Sequence, residues 1–228
     1  HGVEKRRSLH GRRKGKPLSA RRTGLMADAY PALAVDLSRP CPTPLGALFP
    51  FPVREVRLEI GFGGGEHLVA EAVSAPDVGF IGVEPFVAGM AKAVSAVSDL
   101  DVRNVRLYDG DAVHLLDWLP PGSLGRVDLL YPDPWPKRRH FKRRFVNPEN
   151  LERIARVLVP GGAFRVASDI DGYIAWTLAH LIRRDDLVWT AATADDWRKP
   201  FPGWPGTRYE AKAIRAGRRP TYLAFRRT

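Results

Sequence analysis

Beginning at residue 53, short apolar runs alternate with amphipathic stretches, and this alternation limits the possible folds more than any other feature of the chain. Seven runs have the character of strands: 53–61, 78–85, 104–110, 126–132, 162–169, 187–190 and 221–227. Five stretches between them have the character of helices: 65–75, 86–98, 111–118, 148–158 and 170–184. Repeated strand–helix alternation is typical of right-handed crossovers in a mostly parallel sheet. The sequence therefore predicts an α/β, doubly wound fold.

The last two strand candidates, 187–190 and 221–227, are not separated by a convincing helix. The intervening residues 197–219 are rich in Pro, Trp and Arg. Such a connection favours an antiparallel hairpin, because another parallel strand would require a crossover. We therefore predict a seven-stranded sheet that is mostly parallel and closes with a C-terminal antiparallel hairpin.

Two segments precede this domain, which we assign to residues 53–228. Residues 1–24 hold nine Lys/Arg against one acidic residue and show no hydrophobic periodicity, so we predict a basic, flexible arm. Residues 25–52 form a Pro-rich segment, with five prolines between positions 38 and 52. This composition predicts a linker that wraps around the domain.

The charge balance narrows the choice of partner. A formal net charge of +11 favours nucleic acid or a membrane surface, with solvated basic faces as the alternative. No apolar run reaches the roughly 18 residues of a membrane span, and the start of the sequence lacks the apolar core of a signal peptide. Cys41 is the single cysteine, which excludes an internal disulfide or zinc knuckle. We expect a cytoplasmic monomer or homodimer without a metal or a membrane partner.

A glycine-rich turn, "LEIGFGGGEHL" at 58–68, joins the first strand candidate to the first helix candidate. Glycines such as Gly61 and Gly63 allow tight turning and let backbone N–H groups approach a ligand closely. Glycine turns also serve plain helix–strand packing, so this signal needs support from its surroundings.

Carboxylates at consecutive strand ends supply that support. Glu84 ends the second strand candidate, 23 residues beyond Gly61, where a carboxylate faces a ribose diol. Asp111 follows the third strand candidate and is placed to accept from an adenine amino group, and Asp133 follows the fourth. Glu59 precedes the turn and is placed to orient it or to meet a cationic ligand tail. The arrangement predicts a nucleotide crevice at the edge of the sheet.

The chemistry of the turn favours S-adenosylmethionine over a dinucleotide. The dinucleotide fingerprint is G-x-G-x-x-G, whereas this chain has G-x-G-G-G followed by Glu66. An acidic residue at a helix N-terminus repels a pyrophosphate. S-adenosylmethionine has no phosphate, and carboxylates suit its sulfonium and ammonium groups.

The stretch "DLLYPDPWPKRRHFKRRFV" at 128–146 combines rigidity with charge. Three prolines confine Asp133 and Trp135, and six Lys/Arg follow within residues 137–144. Lys/Arg around Phe141 favour phosphate contact combined with base stacking. We interpret the stretch as an active-site lip that also binds a polyanion. The alternatives are a turn-forming Asp133, core packing of Trp135 and a solvated lysine at 137.

Several motifs together resemble the bacterial tRNA (guanine-N7-)-methyltransferase family over residues 53–227: "LEIGFGGG", "GVEPF", "DA" at 111–112, "PDPWPKRRHFKRR", "SDI" at 168–170 and "TRYEAKAIRAG" at 207–217. The resemblance implies a Rossmann-like methyltransferase sheet. It also implies transfer of a methyl group from S-adenosylmethionine to N7 of guanosine 46 in the variable loop of tRNA.

The resemblance also implies roles for individual residues. The cofactor positions are Glu59, Gly61, Gly63, Glu84, Asp111 and Asp133, of which Asp133 is the catalytic candidate. The substrate positions are Lys137, Asp169, Thr207, Arg208, Tyr209 and Glu210. The RNA-contact positions are Arg139, His140, Phe141, Lys142, Arg143 and Arg144.

Three other functions compete with this one. An amino-methyltransferase acting on adenine N6 or cytosine N4 has a similar proline-aromatic turn, in a different order and without the basic run. A catalytically silent RNA-binding relative would keep the fold, although the four carboxylates argue against it. An NAD-linked dehydrogenase would need a proton-transferring histidine at the strand ends, and His140 lies in the basic run instead.

Overall fold

The computed structural model describes residues 10–228, in which seven strands form one sheet. The strands are β1 (Val56–Ile60), β2 (Gly79–Val83), β3 (Val105–Tyr108), β4 (Leu124–Leu130), β5 (Leu158–Ser168), β6 (Leu187–Trp189) and β7 (Thr221–Arg227). Their order across the sheet is β3-β2-β1-β4-β5-β7-β6. Strands β1 to β5 pair in parallel, and β7 runs antiparallel between β5 and β6. The predicted mostly parallel sheet and its C-terminal antiparallel hairpin are confirmed.

Helices connect the parallel strands at the predicted places. The α-helices are α1 (Ala20–Asp28), α2 (Tyr30–Leu33), α3 (Glu66–Ser74), α4 (Val87–Asp99), α5 (Ala112–Trp118), α6 (Pro148–Val157), α7 (Asp171–Leu181), α8 (Asp195–Arg198) and α9 (Arg208–Arg215). Short 3₁₀ helices span Leu45–Leu48 and Arg138–Arg143. Across residues 10–228, no helix combines the length and the apolar character needed to cross a membrane.

The connection between β6 and β7 corrects the sequence interpretation, which found no convincing helix there. Helix α9 forms because the Thr207 side chain accepts a hydrogen bond from the backbone N–H of Glu210, at 3.0 Å. Gly217, with φ of +78°, follows the end of the helix. The spacing T-x-x-E is that of an N-terminal capping box, a signal that the composition of this segment obscured.

The amino-terminal arm also needs a correction, because α1 begins inside the segment predicted to be flexible. Ser19 caps the helix by accepting from the backbone N–H of Arg22, at 3.3 Å. Leu25 and Met26 pack against the core formed with α3 and α4. An ion pair of 2.7 Å joins Arg21 to Asp99 at the end of α4. Residues 1–9 of the predicted arm lie outside the described residues.

The two faces of the sheet differ in character near its centre. On one face, Leu58 and Val127 join a core with residues of α5, α6 and α7. The next residues along the strands point the other way, because side chains alternate across a sheet. On β4 and β5 these are charged residues, including Asp128 and Arg165, which are both buried.

Asp128 and Arg165 lie directly opposite one another on β4 and β5 and form a two-pronged ion pair. Nε and a terminal nitrogen of Arg165 donate to the two Asp128 oxygens at 2.7 and 2.8 Å. Arg126 approaches Asp128 at 3.1 Å and Glu71 of α3 at 3.3 Å. Each charge therefore has a partner, as burial requires.

Replacing Asp128 with Asn is expected to destabilise the fold strongly, because the buried Arg165 and the partly buried Arg126 lose their shared countercharge. Removing one partner of a buried ion pair costs about 3–5 kcal/mol. Urea denaturation measures the loss. The matched control is Asp77→Asn, which breaks an exposed pair with Arg54 (2.8 Å) and is expected to cost under about 1 kcal/mol. Equal losses in the two variants would contradict the structural importance of the buried pair.

Candidate active site

The strand order reverses direction between β1 and β4, and this switch point creates a crevice at the carboxyl ends of the strands. From β1 the chain proceeds to β2 and β3 on one side, whereas β4 begins the other side. Ligands of open α/β sheets bind in such a crevice. The loops that follow β1, β2, β3 and β4 carry most of the predicted site residues.

The glycine turn at 61–65 forms one wall of the crevice. Gly61, Gly63 and Gly65 adopt φ of +70°, +62° and +82°, a region that side chains disfavour. Gly89 of α4 lies directly against the turn: a Cβ atom at this position would lie 2.2 Å from the Gly63 carbonyl oxygen. The helix therefore approaches the turn more closely than any other residue type at 89 permits.

Glu84, at the end of β2, fastens the glycine turn. Its two carboxylate oxygens accept from the backbone N–H of Gly63 at 2.8 Å and of Phe86 at 3.0 Å. Burial raises the pKa of Glu84, the two N–H groups oppose this effect, and the charge of Asp133 adds to it. Glu84, which we predicted to bind a ribose, therefore also holds the glycine turn in place.

Asp111 follows β3 and caps α5. Its Oδ1 accepts from the backbone N–H of Val113 at 2.9 Å, and the side chain is buried. Capping fixes the carboxylate at the crevice edge, next to the end of β3. Glu84 and Asp111 therefore stand on neighbouring loops, as the sequence predicted.

The part of the lip before the basic run, residues 131–136, carries Asp133 and has a strained backbone; we keep the name lip for these residues. Tyr131 and Trp135 both adopt positive φ, +49° and +44°, on either side of the Pro-Asp-Pro sequence. Such conformations persist only where the surroundings enforce them, and they concentrate at functional sites. The Asp133 side chain is exposed at the crevice, but neighbouring atoms reduce its hydration and raise its pKa. Nε of Arg144 secures the lip by donating to the Pro134 carbonyl at 2.8 Å.

The basic run divides into outward and inward residues. Lys137, Arg139 and Lys142 are exposed around the 3₁₀ helix. Arg144 is buried, with its guanidinium 3.9 Å from the ring centre of Phe141. Of the residues assigned to RNA contact, the structure therefore places Arg144 in the interior beside Phe141, away from the exposed cations.

His140 and Arg143 of the same run lie against the lip tryptophan. The His140 ring meets Trp135 edge-on at 5.9 Å, and the Arg143 guanidinium lies 5.1 Å from the Trp135 ring centre. Trp135 thus joins the lip to the basic run.

The C-terminal residues assigned to the substrate, 207–210, lie along the edge of the crevice and are called the rim. The exposed Tyr209 lies beside the glycine turn, with its ring 3.6 Å from where a Cβ of Gly63 would be. Glu210 is buried and accepts at Oε2 from Trp204 Nε1 (2.6 Å) and from the Tyr131 hydroxyl (3.2 Å). Thr207 caps α9, and Arg208 is exposed beside it. The rim therefore connects to both the turn and the lip.

Asp169 occupies the end of β5 but does not cap α7, whose N-cap is Ile170. Its carboxylate instead pairs with Arg218 at 2.6 Å. This pair joins the end of β5 to the loop between α9 and β7, and the substrate role of Asp169 stays a prediction.

Glu59 differs from the other predicted cofactor residues because it lies inside a strand. It lies within β1, only 5% exposed, on the charged face of the sheet, and hydrogen-bonds to Nδ1 of His67. Glu59, His67 and Asp128 have ligand atoms within 4.8 Å of one another, an arrangement able to hold a metal ion. However, both Asp128 oxygens already accept from Arg165, and His67 already engages Glu59.

The first described residues lie across the crevice. The Arg13 carbonyl accepts from the backbone N–H of Val87 at 3.1 Å, and the Arg12 guanidinium lies 5.3 Å from the Phe86 ring centre. Gly11 approaches Asp133 so closely that a Cβ atom there would lie 3.2 Å from Oδ2. The basic arm therefore contributes to the surroundings of the crevice, which the sequence did not indicate.

Comparison with known proteins adds the family. A family model described as "Putative methyltransferase" matches residues 53–223. Curated tRNA (guanine-N(7)-)-methyltransferases share 57% identity over 99% of the chain in Chelativorans sp. (97% of that protein) and 58% over 96% in Mesorhizobium japonicum (94% of that protein). The chain belongs to the tRNA (guanine-N(7)-)-methyltransferase family. The predicted family membership and enzyme class are confirmed.

Solved structures support the fold of this family member. The 16S rRNA methyltransferase KamB is 18% identical, with a TM-score of 0.56 over 77% of this chain and 89% of that one. An rRNA methylase from Streptococcus thermophilus is 16% identical, with a TM-score of 0.53 over 81% and 92%. At these identities the likeness concerns the Rossmann-like methyltransferase fold.

Sequence reasoning missed a group of interacting residues beneath the C-terminal rim: His67, Glu71, Arg126, Asp128, Arg165 and Trp204. A signal for them existed. His67 and Glu71 share one face of α3 at i and i+4, and charged residues recur at alternating positions inside apolar strands. Buried charges must be paired, so such residues indicate a common partner.

The fold is expected to lose stability in alkaline solution through His67. Burial lowers the pKa of His67, but Glu59 and Glu71 outweigh burial and raise it from 6.5 to about 9. The stabilisation is therefore complete below pH 6.5 and disappears as the pH rises through about 9, a loss of about 3 kcal/mol. Urea denaturation between pH 6 and pH 9.5 measures it. His67→Gln should flatten this slope, whereas the exposed-site control His114→Gln should retain it; a wild-type slope in His67→Gln would contradict the assignment.

Proposed function

We propose that this protein transfers a methyl group from S-adenosylmethionine to N7 of guanosine 46 in the variable loop of tRNA. The observation that carries the proposal is the meeting of Glu84, Asp111 and Asp133 with the 61–65 turn at the switch point of the sheet. Relatives named tRNA (guanine-N(7)-)-methyltransferase support the choice of base and RNA. A tRNA substrate implies a cytoplasmic location.

The residues of the crevice fit S-adenosylmethionine better than a phosphate-bearing cofactor. Gly61 and Gly63 let the backbone come close to the ligand, Glu84 would hold the ribose hydroxyls and Asp111 the adenine amino group. Glu66 stands at the N-terminus of α3, where a phosphate would otherwise bind. When bound, S-adenosylmethionine supplies a methyl group attached to a cationic sulfur, which the local carboxylates favour electrostatically.

The reaction itself requires positioning more than proton transfer. The N7 atom of guanine carries a lone pair and no proton, so its attack on the methyl group needs no general base. The base becomes cationic as the methyl group arrives, and a carboxylate that is partly stripped of water stabilises that charge. Asp133 fits this requirement because its hydration is reduced, and its rigid lip holds it in place.

The substrate would be bound on the rim and along the basic run. Lys137, Asp169 and the 207–210 segment border the crevice, and carboxylates there suit the N1–H and 2-amino group of guanine. The exposed cations of the 3₁₀ helix would contact tRNA phosphates. Because position 46 is tertiary-paired in folded tRNA, we expect local exposure of the base before transfer.

The direct test uses labelled S-adenosylmethionine, bulk tRNA and identification of the modified nucleoside. We expect 7-methylguanosine, and no label in a tRNA whose position 46 is adenosine. N6-methyladenosine or N4-methylcytosine would indicate an amino-methyltransferase, and absence of label would indicate a silent RNA-binding relative. Either result rejects the proposal.

Asp133→Asn is expected to lower turnover by at least about a thousandfold, because the charge that stabilises the methylated base is removed. Affinity for tRNA, measured by filter binding, should stay within about threefold, since phosphate contacts dominate it. The exposed-site control Asp101→Asn should behave like the wild type. Turnover near the wild-type value in Asp133→Asn would remove this residue from the mechanism.

Reversing two exposed charges of the basic run, Arg139→Glu with Lys142→Glu, should weaken tRNA binding by about tenfold or more. The slope of log K against log salt should decrease by about 0.7–0.9 for each phosphate that the variant no longer neutralises. Arg54→Glu with Arg103→Glu makes the same charge change near the amino ends of β1 and β3 and should have little effect. An unchanged salt slope in the first variant would exclude the basic run from the tRNA interface.

A further inference from the structure

A cluster of six charged side chains lies beneath the crevice, and the proposed chemistry does not use it. This ionic cluster consists of Glu59, His67, Glu71, Arg126, Asp128 and Arg165. Its members hold one another: Nε2 of His67 lies 3.3 Å from Glu71, and Glu71 lies 3.3 Å from Arg126. All six belong to β1, β4, β5 or α3, which makes the cluster a fixed platform.

A loop with two aromatic residues, Phe201 and Trp204, covers the ionic cluster. The His67 ring packs against the Trp204 ring with centres 4.7 Å apart. The Arg165 guanidinium lies 4.5 Å from the Phe201 ring centre and 5.9 Å from that of Trp204. Phe201 and Trp204 also contact each other edge-on at 5.4 Å. The position of the Trp204 indole is therefore set by the cluster below it.

Trp204 connects the ionic cluster to the rim through a hydrogen bond to Glu210. Its Nε1–H donates to Oε2 of Glu210 at 2.6 Å, and the Tyr131 hydroxyl donates to the same oxygen at 3.2 Å. Tyr131 belongs to the strained lip, so one carboxylate oxygen is held from two sides of the crevice. The Tyr222 hydroxyl also hydrogen-bonds to this carboxylate, so three side chains fix the orientation of Glu210.

We propose that His67 and Trp204 are positioning residues that aim the Glu210 carboxylate at the N1–H and 2-amino edge of guanine. Glu59 then serves the reaction through His67, whose ring it orients, and does not touch the methyl donor. The inference rests on the proposed function, because Glu210 acts on the guanine that receives the methyl group.

Hydrogen-bonding geometry gives the physical reason. A carboxylate that accepts from N1–H and the 2-amino group must keep its plane aligned with the base, and charge-assisted bonds weaken steeply when misaligned. The indole N–H donates to that carboxylate, and the indole ring packs on His67 and Arg165 of the ionic cluster. Raising the pKa of His67 also favours the protonated imidazole, which suits contact with the face of an aromatic ring.

The test compares tRNA carrying guanosine or inosine at position 46, because inosine lacks only the 2-amino group. The wild type should prefer guanosine by about tenfold in kcat/KM, the effect of one hydrogen bond to a charged acceptor. Trp204→Phe keeps an aromatic ring but loses the N–H, and should reduce this preference to about threefold or less. Trp197→Phe, a half-buried tryptophan packed on Trp189, is the matched control and should keep the full preference.

The role of Glu59 is tested by calorimetric binding of S-adenosylhomocysteine. Glu59→Gln should leave this affinity within about twofold while reducing the guanosine preference, as His67→Gln should also do. Thermal melting of each variant identifies any that fails to fold. Trp204→Phe removes no charge from the ionic cluster and keeps an aromatic ring above it, and so provides the decisive result if a variant within the cluster unfolds.

Three outcomes would overturn the inference. Full guanosine preference in Trp204→Phe would show that the indole does not position Glu210. Equal loss of activity on both tRNAs would show a structural role only. A large loss of S-adenosylhomocysteine affinity in Glu59→Gln would place Glu59 at the methyl donor. None of these results contradicts the proposed function if the wild type forms 7-methylguanosine. A wild type that methylates no guanosine would contradict both the proposed function and this inference.

Discussion

The two-pronged ion pair between Asp128 and Arg165 is the interaction on which the centre of this structure depends. It joins β4 to β5 on the sheet face that α5, α6 and α7 leave uncovered, and it draws Arg126 and Glu71 into one neutralised group. Charge on that face excludes a conventional apolar helix contact. The Phe201–Trp204 loop covers it instead, and so the C-terminal residues reach the crevice.

Burial divides the carboxylates of the chain into two functional groups. Asp128, inside the sheet, is matched by arginine side chains that hold its pKa below the usual value despite burial, and it serves structure. The carboxylates at the strand ends, such as Glu84 and Asp133, are partly stripped of water without a matching cation, and their pKa values are raised. Under-neutralised carboxylates attract a cationic ligand, and perturbed pKa values concentrate at functional sites. The same contrast explains how a strongly basic protein keeps carboxylates in its crevice beside the exposed cations of the basic run.

The sequence predicted the sheet, its hairpin and the strand-end carboxylates because periodicity and turn chemistry are local properties. It did not indicate the partner of Glu59: alternation places Glu59 and Leu58 on opposite faces of the sheet, but only the packing of α3 shows that His67 covers Glu59. The capping role of Thr207 was readable from T-x-x-E, whereas burial of Arg144 within the basic run was not, since it depends on the distant Trp176. Side-chain contacts between elements that are far apart in the sequence could not be predicted from it.

The most direct measurement of the central claim is a crystal structure with S-adenosylhomocysteine. We expect the ligand in the crevice between the 61–65 turn and the Asp133 lip, with its ribose hydroxyls on Glu84 and its adenine beside Asp111. The sulfur should face Asp133, and Glu59 should remain bonded to His67. Ligand bound outside this crevice, or with its sulfur turned away from the lip, would contradict the claim that methyl donor and guanine meet at Asp133.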